Sequence, residues 1–168
     1  MKIINERRSV RSFLDTAVNE EAVEAMLRAA MQAPSAGNQQ PWEFVVVTDQ
    51  TTREQLAAMS PYTAALNSSP VAIIILAKKE GIMFSGNVPQ DLGAATQNLL
   101  LEAVNQGLGA VWLGIQPEQD RMDLVSQILN LPDHVSPFAA IAIGHPTKEN
   151  ANTFVDRFDP DRIHRGQY

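Results

Sequence analysis

The sequence has no cysteine among its 168 residues. That excludes a disulfide framework, a thiolate nucleophile and a cysteine zinc site together. It fits a reducing compartment. Aromatic residues are scarce as well, at 6%. Apolar runs are short: the longest, Val71 to Ala77, is far below the ~20 residues that cross a bilayer. No basic-then-apolar segment resembles a signal peptide, so a cytoplasmic protein is expected. Positive charge is the minority sign, with 13 Lys and Arg against 19 Asp and Glu. The formal net charge of -6 argues against a nucleic-acid or membrane partner.

Several chemistry-bearing patterns are missing too. His134, His145 and His164 are scattered, without HExxH or paired spacing, so no metal site is expected. There is no Walker A sequence and no GxSxG elbow. GLGAVW, residues 107–112, begins like a dinucleotide fingerprint but carries Trp112 where the third glycine belongs. It also precedes its strand instead of following one.

What is present reads as one α/β or α+β domain across residues 1–168, with roughly four strands and long helices between them. Asn19 caps a predicted helix with Glu20 and Glu21 in its first turn, and Val23, Met26, Leu27 and Ala30 recur at helical spacing. The helix stops before Pro34. Glu43–Thr48 reads as a strand and Thr51–Met59 as a short helix. Val71–Ala77, with three consecutive isoleucines, reads as a strand buried on both faces. Asp91–Gln106 is a long helix ended by Gly107, apolar enough for a core or a subunit interface. Gly109–Ile115 and Phe138–Ile143 are strands, and Glu118–Asn130 is an amphipathic helix between them.

Two motifs carry chemistry. RRSVRSF, residues 7–13, offers three guanidinium forks and two hydroxyls, groups that match a phosphate. Arg157, Arg162 and Arg165 supply a second cluster near the other end of the chain. The two clusters form either one shared anion site or two solvated surfaces. APSAGNQQPWEFVVV, residues 33–47, leads an amide-rich loop into a strand. Asn38, Gln39 and Gln40 suit a heterocycle edge that alternates C=O and N–H, or they face water. Trp42 reads as core.

The two motifs in this order resemble the nitroreductase-like FMN-dependent oxidoreductase family. The resemblance continues through Asn67-Ser68-Ser69-Pro70, residues 90–114, the AIGHP run at 142–146 and RFDPDRIHR at 157–165. It implies a central mixed sheet of about four to five strands flanked by helices, in an intertwined homodimer. It implies FMN as cofactor, NADH or NADPH as donor, and a small-molecule acceptor such as a nitroaromatic or quinone. Hydride would pass through flavin N5 with ping-pong kinetics and no essential side-chain acid or base. Flavin reductase, dehalogenase or non-catalytic FMN-binding roles share the same pattern.

Residue by residue, the resemblance assigns Arg7, Arg8, Ser9 and Arg11 to the flavin, with Arg11 near N1 and O2. Pro34, Ser35, Ala36, Asn38 and Gln40 would come from the other subunit. Asn67 would bond the ring's polar edge, and the backbone of Leu113-Gly114-Ile115 would donate to N5 or O4. Arg162, with His164 or Arg165, would reach the phosphate. Ala36 departs from the family's second serine. The chain is also shorter than many members, which leaves Gly81–Pro89 with Phe84 as a smaller lid.

Overall fold

A computed structural model describes residues 2–168. The chain begins with a short helix, α1 (Lys2–Glu6), followed by α2 (Glu20–Met31). The Asn19 side chain accepts from the Ala22 N–H at 2.8 Å, the expected cap of α2. Strand β1 (Trp42–Val47) leads to α3 (Gln50–Ala57) and a single turn, α4 (Ala65–Ser68). Then come β2 (Val71–Lys78), α5 (Val88–Asn105), β3 (Gly109–Gly114), α6 (Gln119–Leu129) and β4 (Val135–Gly144).

The four strands lie in the order β1-β2-β4-β3, and all three pairings are antiparallel. The expected mixed sheet is therefore corrected. The reason lies in the connections. Strands β2 and β3 run the same way, joined over α5, but the crossover skips one position and β4 fills it. Among the described residues, parallel pairing is confined to a single bridge between Ser9 and Ala110.

Both faces of the sheet are covered. On one, α2 and α5 pack Met26, Ala30, Leu92, Ala95 and Leu99 against Ile73, Ile75 and Ile141. On the other, Leu56, Leu66 and Val125 from the shorter helices pack against Ile74, Val111 and Ala142. Alternate residues of β2 feed the two layers, which explains its unbroken apolar run.

The register between β2 and β4 shifts after Ile75, leaving Phe138 beside Pro137 as the extra residue. Pro137 has no N–H to give to a ladder, so a bulge there costs little. The Phe138 carbonyl accepts from Ile115 and Gln116 instead, at 3.2 and 3.0 Å. Its ring meets Trp112 edge-on at 5.8 Å. The bulge thus sets the end of β3, where the candidate site lies.

Candidate active site

The arginine segment is held by its two apolar residues. Val10 and Phe13 are buried, whereas Ser9, Arg11 and Ser12 face outward. The Val10 N–H donates to the Ala110 carbonyl at 3.0 Å, and the Leu14 N–H to His145 at 2.8 Å. Glycine makes room beneath each anchor. A Cβ on Gly109 would lie 2.7 to 2.9 Å from three Val10 side-chain atoms. One on Gly144 would lie 3.0 Å from Phe13 Cβ and 2.6 Å from Pro70 Cδ. Those glycines let the segment lie flat along the sheet with its polar residues presented outward.

Upstream, the two ends of the chain meet. The Arg8 N–H donates to Asn152 Oδ1 at 3.3 Å, and Asn152 Nδ2 donates to the Leu108 carbonyl at 3.0 Å. Arg8 turns its guanidinium back onto the carbonyls of Arg7 and Asn5, the latter at 2.8 Å. Among the described residues its buried Nε has no partner. Burial lowers the Arg7 guanidinium below the ordinary arginine value, and the charges of Arg8 and Arg157 lower it further. Among the described residues, no carboxylate forms a salt bridge with Arg7, Arg8, Arg11 or Arg157. Neighbouring cations without a counter-charge leave a local positive potential, which favours an anion.

Arg11 stands between two hollows. The larger, about 430 Å³, is lined by Arg11, residues 60–65, Trp112, Leu113, Gly114 and Arg121. No Asp or Glu lines it. A Cβ on Gly114 would meet nothing within 4 Å, so the backbone there is bare toward open space. The smaller hollow, about 290 Å³, gathers Ser9, Arg11, Ser12, Thr147 and Lys148.

The amide loop, residues 34–41, is organised by a carboxylate that sequence reading did not single out. Asp91 is buried at the start of α5. Its Oδ1 accepts from the Ala36 N–H at 3.0 Å, and its Oδ2 from Gln39 Nε2 at 2.7 Å. The Gln39 amide also pairs with both backbone groups of Phe84, accepting its N–H at 3.0 Å and donating to its carbonyl at 3.2 Å. Gly37, at φ +55°, lies under the Phe84 ring, where a Cβ would come within 2.6 Å. Ser35 Oγ accepts from the Gln40 N–H at 3.0 Å, and Gln40 Nε2 donates to Asn38 at 3.1 Å. The loop and the 81–87 segment are therefore one joined unit. Asp91→Asn should cost about 1 kcal/mol, because its NH₂ would oppose the Gln39 NH₂. Flipping Gln39 would only move the conflict to the Phe84 N–H. Urea midpoints of the two proteins measure this.

The structure sorts the remaining candidates. Leu113 and Gly114 share the large hollow with Arg11. Asn67 does not: it lines a separate hollow with Asp15, Gln50 and Arg53. Pro34, Ser35, Ala36, Asn38 and Gln40 line neither hollow that Arg11 borders. Arg162 is paired with Asp159 at 2.9 Å, and His164 lies 4.1 Å from the Tyr168 ring, both on an exposed C-terminal arm. Arg157 is the C-terminal arginine whose charge acts on Arg7. Arg121, Lys148 and Asn152 went unmarked in the sequence. On a helix face or in a polar tail, nothing local separates such residues from solvated ones.

Comparison with known proteins places this architecture. Residues 4–61 and 60–145 match the sequence model of the nitroreductase family. The chain belongs to that family. A Methanothermobacter thermautotrophicus protein named "Putative NADH dehydrogenase/NAD(P)H nitroreductase" is 42% identical over 164 residues, covering 98% of this chain and 85% of its own. A crystal structure of a "Putative NADH Oxidase" from Clostridium acetobutylicum superposes with a TM-score of 0.95 at 47% identity, over 99% of both chains. A Desulfovibrio desulfuricans "putative nitroreductase in complex with fmn" gives a TM-score of 0.82 at 33% identity, over 99% of this chain and 95% of its own. Among the described residues, no helix is long and apolar enough to cross a membrane.

Proposed function

We propose that the protein is a cytoplasmic FMN-dependent NAD(P)H oxidoreductase that reduces nitroaromatic, quinone or similar acceptors. One observation carries the reading: the two ends of the chain meet where the Arg8 N–H donates to Asn152, and none of Arg7, Arg8 and Arg157, whose charges act on one another there, forms a salt bridge among the described residues. The cluster fits a phosphate, and the partnerless Arg8 Nε is a donor still to be satisfied. The adjoining hollow fits a flat heterocycle, since Gly114 leaves its wall open and Arg11 faces it. The Desulfovibrio protein of the same fold was crystallised with FMN.

When bound, the flavin supplies two-electron transfer between nicotinamide and acceptor. The chain's own residues bind and orient. Arg7, Arg8 and Arg157 hold the phosphate, with Ser9 beside them. Arg11 places a cation at the ring's pyrimidine edge, where it stabilises developing negative charge. Leu113 and Gly114 present backbone to the ring.

The reading includes a homodimer. In one chain the amide loop and the arginines line separate surfaces, so a shared site needs a second copy. The C-terminal arm also calls for one: Phe154, Val155, Phe158 and Ile163 are all exposed along it. Apolar side chains at that density on a solvent-facing arm mark an association surface.

Anaerobic titration of the FMN-loaded protein with NADH and NADPH tests the function. The bound flavin's absorbance should bleach and return on adding a nitro compound or quinone. Steady-state double-reciprocal lines should be parallel, because donor and acceptor use the same face in turn. A yellow protein that no nicotinamide bleaches would instead be a flavin carrier, and intersecting lines would contradict the shared face.

A further inference from the structure

Arg121 is an arginine in an unfavourable place. It is the third residue of α6, in the first turn, where the helix dipole disfavours a cation. Among the described residues it forms no salt bridge, although Asp120 and Asp123 are close in sequence. Asp120 accepts from the Arg121 backbone N–H instead, and Asp123 accepts from Gln119. One guanidinium nitrogen, Nη1, donates to the Gly114 carbonyl at 3.1 Å. The side chain thereby reaches back across the β3–α6 connection and lines the same hollow as Arg11. That hollow holds two guanidiniums and no carboxylate. A cation held against its helix dipole and left unpaired fits a role directed at whatever fills the hollow.

We infer that Arg121 is a second cation directed at the flavin, sharing with Arg11 the negative charge that the pyrimidine edge takes on reduction. This rests on the FMN reading of the hollow. The hydrogen bond to Gly114 fixes the guanidinium at the end of β3, and its other N–H groups remain for the ligand. Such a cation favours reduced flavin over oxidised flavin, so it raises the potential more than it tightens oxidised binding.

The test uses the full-length FMN-loaded protein and two variants, Arg121→Met and Arg121→Lys. The midpoint potential is measured by dye equilibration without nicotinamide, beside the affinity for oxidised FMN. Arg121→Met should lower the preference for reduced over oxidised FMN by about tenfold, a drop of about 30 mV for a two-electron couple. Arg121→Lys, which keeps the charge, should recover most of that drop. Oxidised FMN should still bind both variants. An unchanged potential in Arg121→Met would overturn the inference. So would an equal fall in Arg121→Lys, which would mark a structural role through the Gly114 carbonyl. If the unsubstituted protein itself retains no FMN, it is the reading of the hollow that fails, and that is seen before any variant is compared.

Discussion

Arg7→Ala is expected to weaken FMN binding by roughly thirtyfold, about 2 kcal/mol, the loss expected for a charge-assisted contact to a phosphate. The FMN-free fold should be as stable as before or slightly more stable. The two effects separate because Arg7 lies beside like charges: burial lowers its pKa first, and Arg8 and Arg157 lower it further. Without the anion, removing one of three crowded cations relieves repulsion. With the anion, the same removal deletes a donor. A surface arginine of ordinary kind would show neither effect. Flavin fluorescence quenching gives the affinity, and thermal melts with and without FMN give the stabilities. The FMN-dependent rise in Tm should shrink in the variant, since bound ligand stabilises by mass action. Unchanged affinity, or an FMN-free protein that unfolds earlier, would show that Arg7 serves the fold and not the cofactor.

Gly109→Ala should be the more disruptive change to the protein itself, at about 1–3 kcal/mol of overpacking. The added methyl would sit 2.7 to 2.9 Å from Val10 Cβ, Cγ1 and Cγ2. A flexible chain end could swing aside, but Cβ is fixed to the Val10 backbone. That backbone is held by its own hydrogen bond to Ala110. The cheapest relief is for the arginine segment to lift from β3. Lifting breaks the Val10–Ala110 hydrogen bond and the Ser9–Ala110 bridge. It would carry Arg11 away from both hollows and Ser9 away from the smaller one. Gly109→Ala should therefore lose FMN binding out of proportion to its loss of stability. Gly114→Ala is the contrast, since a methyl there meets no atom within 4 Å. Its urea midpoint should stay close to the parent's, within about 0.5 kcal/mol. If the two glycine variants unfold alike and both keep FMN, the segment is not held as described.

Much of this fold was legible in the chain because its signals are local. The isoleucine run marked β2 as buried on both faces, and it is. Asn19 and Gly107 marked helix ends, and the structure shows the Asn19 cap and φ +72° at Gly107. The long helix starts earlier than expected, at Val88, because Pro89 is tolerated in a first turn, where its missing N–H would be unpaired anyway. Two short helices, α1 and α4, gave no periodicity to read, being five and four residues long. The direction of strand pairing was out of reach, since it depends on β4 inserting between β2 and β3.

The site divides in the same way. Charge made the arginines visible, and the unpaired cluster of Arg7, Arg8 and Arg157 is a tertiary outcome of that composition. Asn67 looked equally chemical in sequence, among serines before a strand. The single turn of α4 carries it to a different hollow, beside Arg53. Asp91 and Arg121 lay in helices whose charges resemble any solvated face. Only packing shows that one is buried under the amide loop and the other reaches the hollow. Residues whose partners lie more than 50 positions away, as Ala36 and Asp91 do, leave no local trace.

The comparison of FMN with riboflavin tests the arginine cluster most directly, because the two ligands share a ring and differ by the phosphate. Isothermal titration of the cofactor-free protein should show FMN bound at least roughly a hundredfold more tightly, as two or more charge-assisted contacts require. That preference should weaken as salt is raised. Equal affinities for the two, at any ionic strength, would mean that the converging arginines do not hold a phosphate.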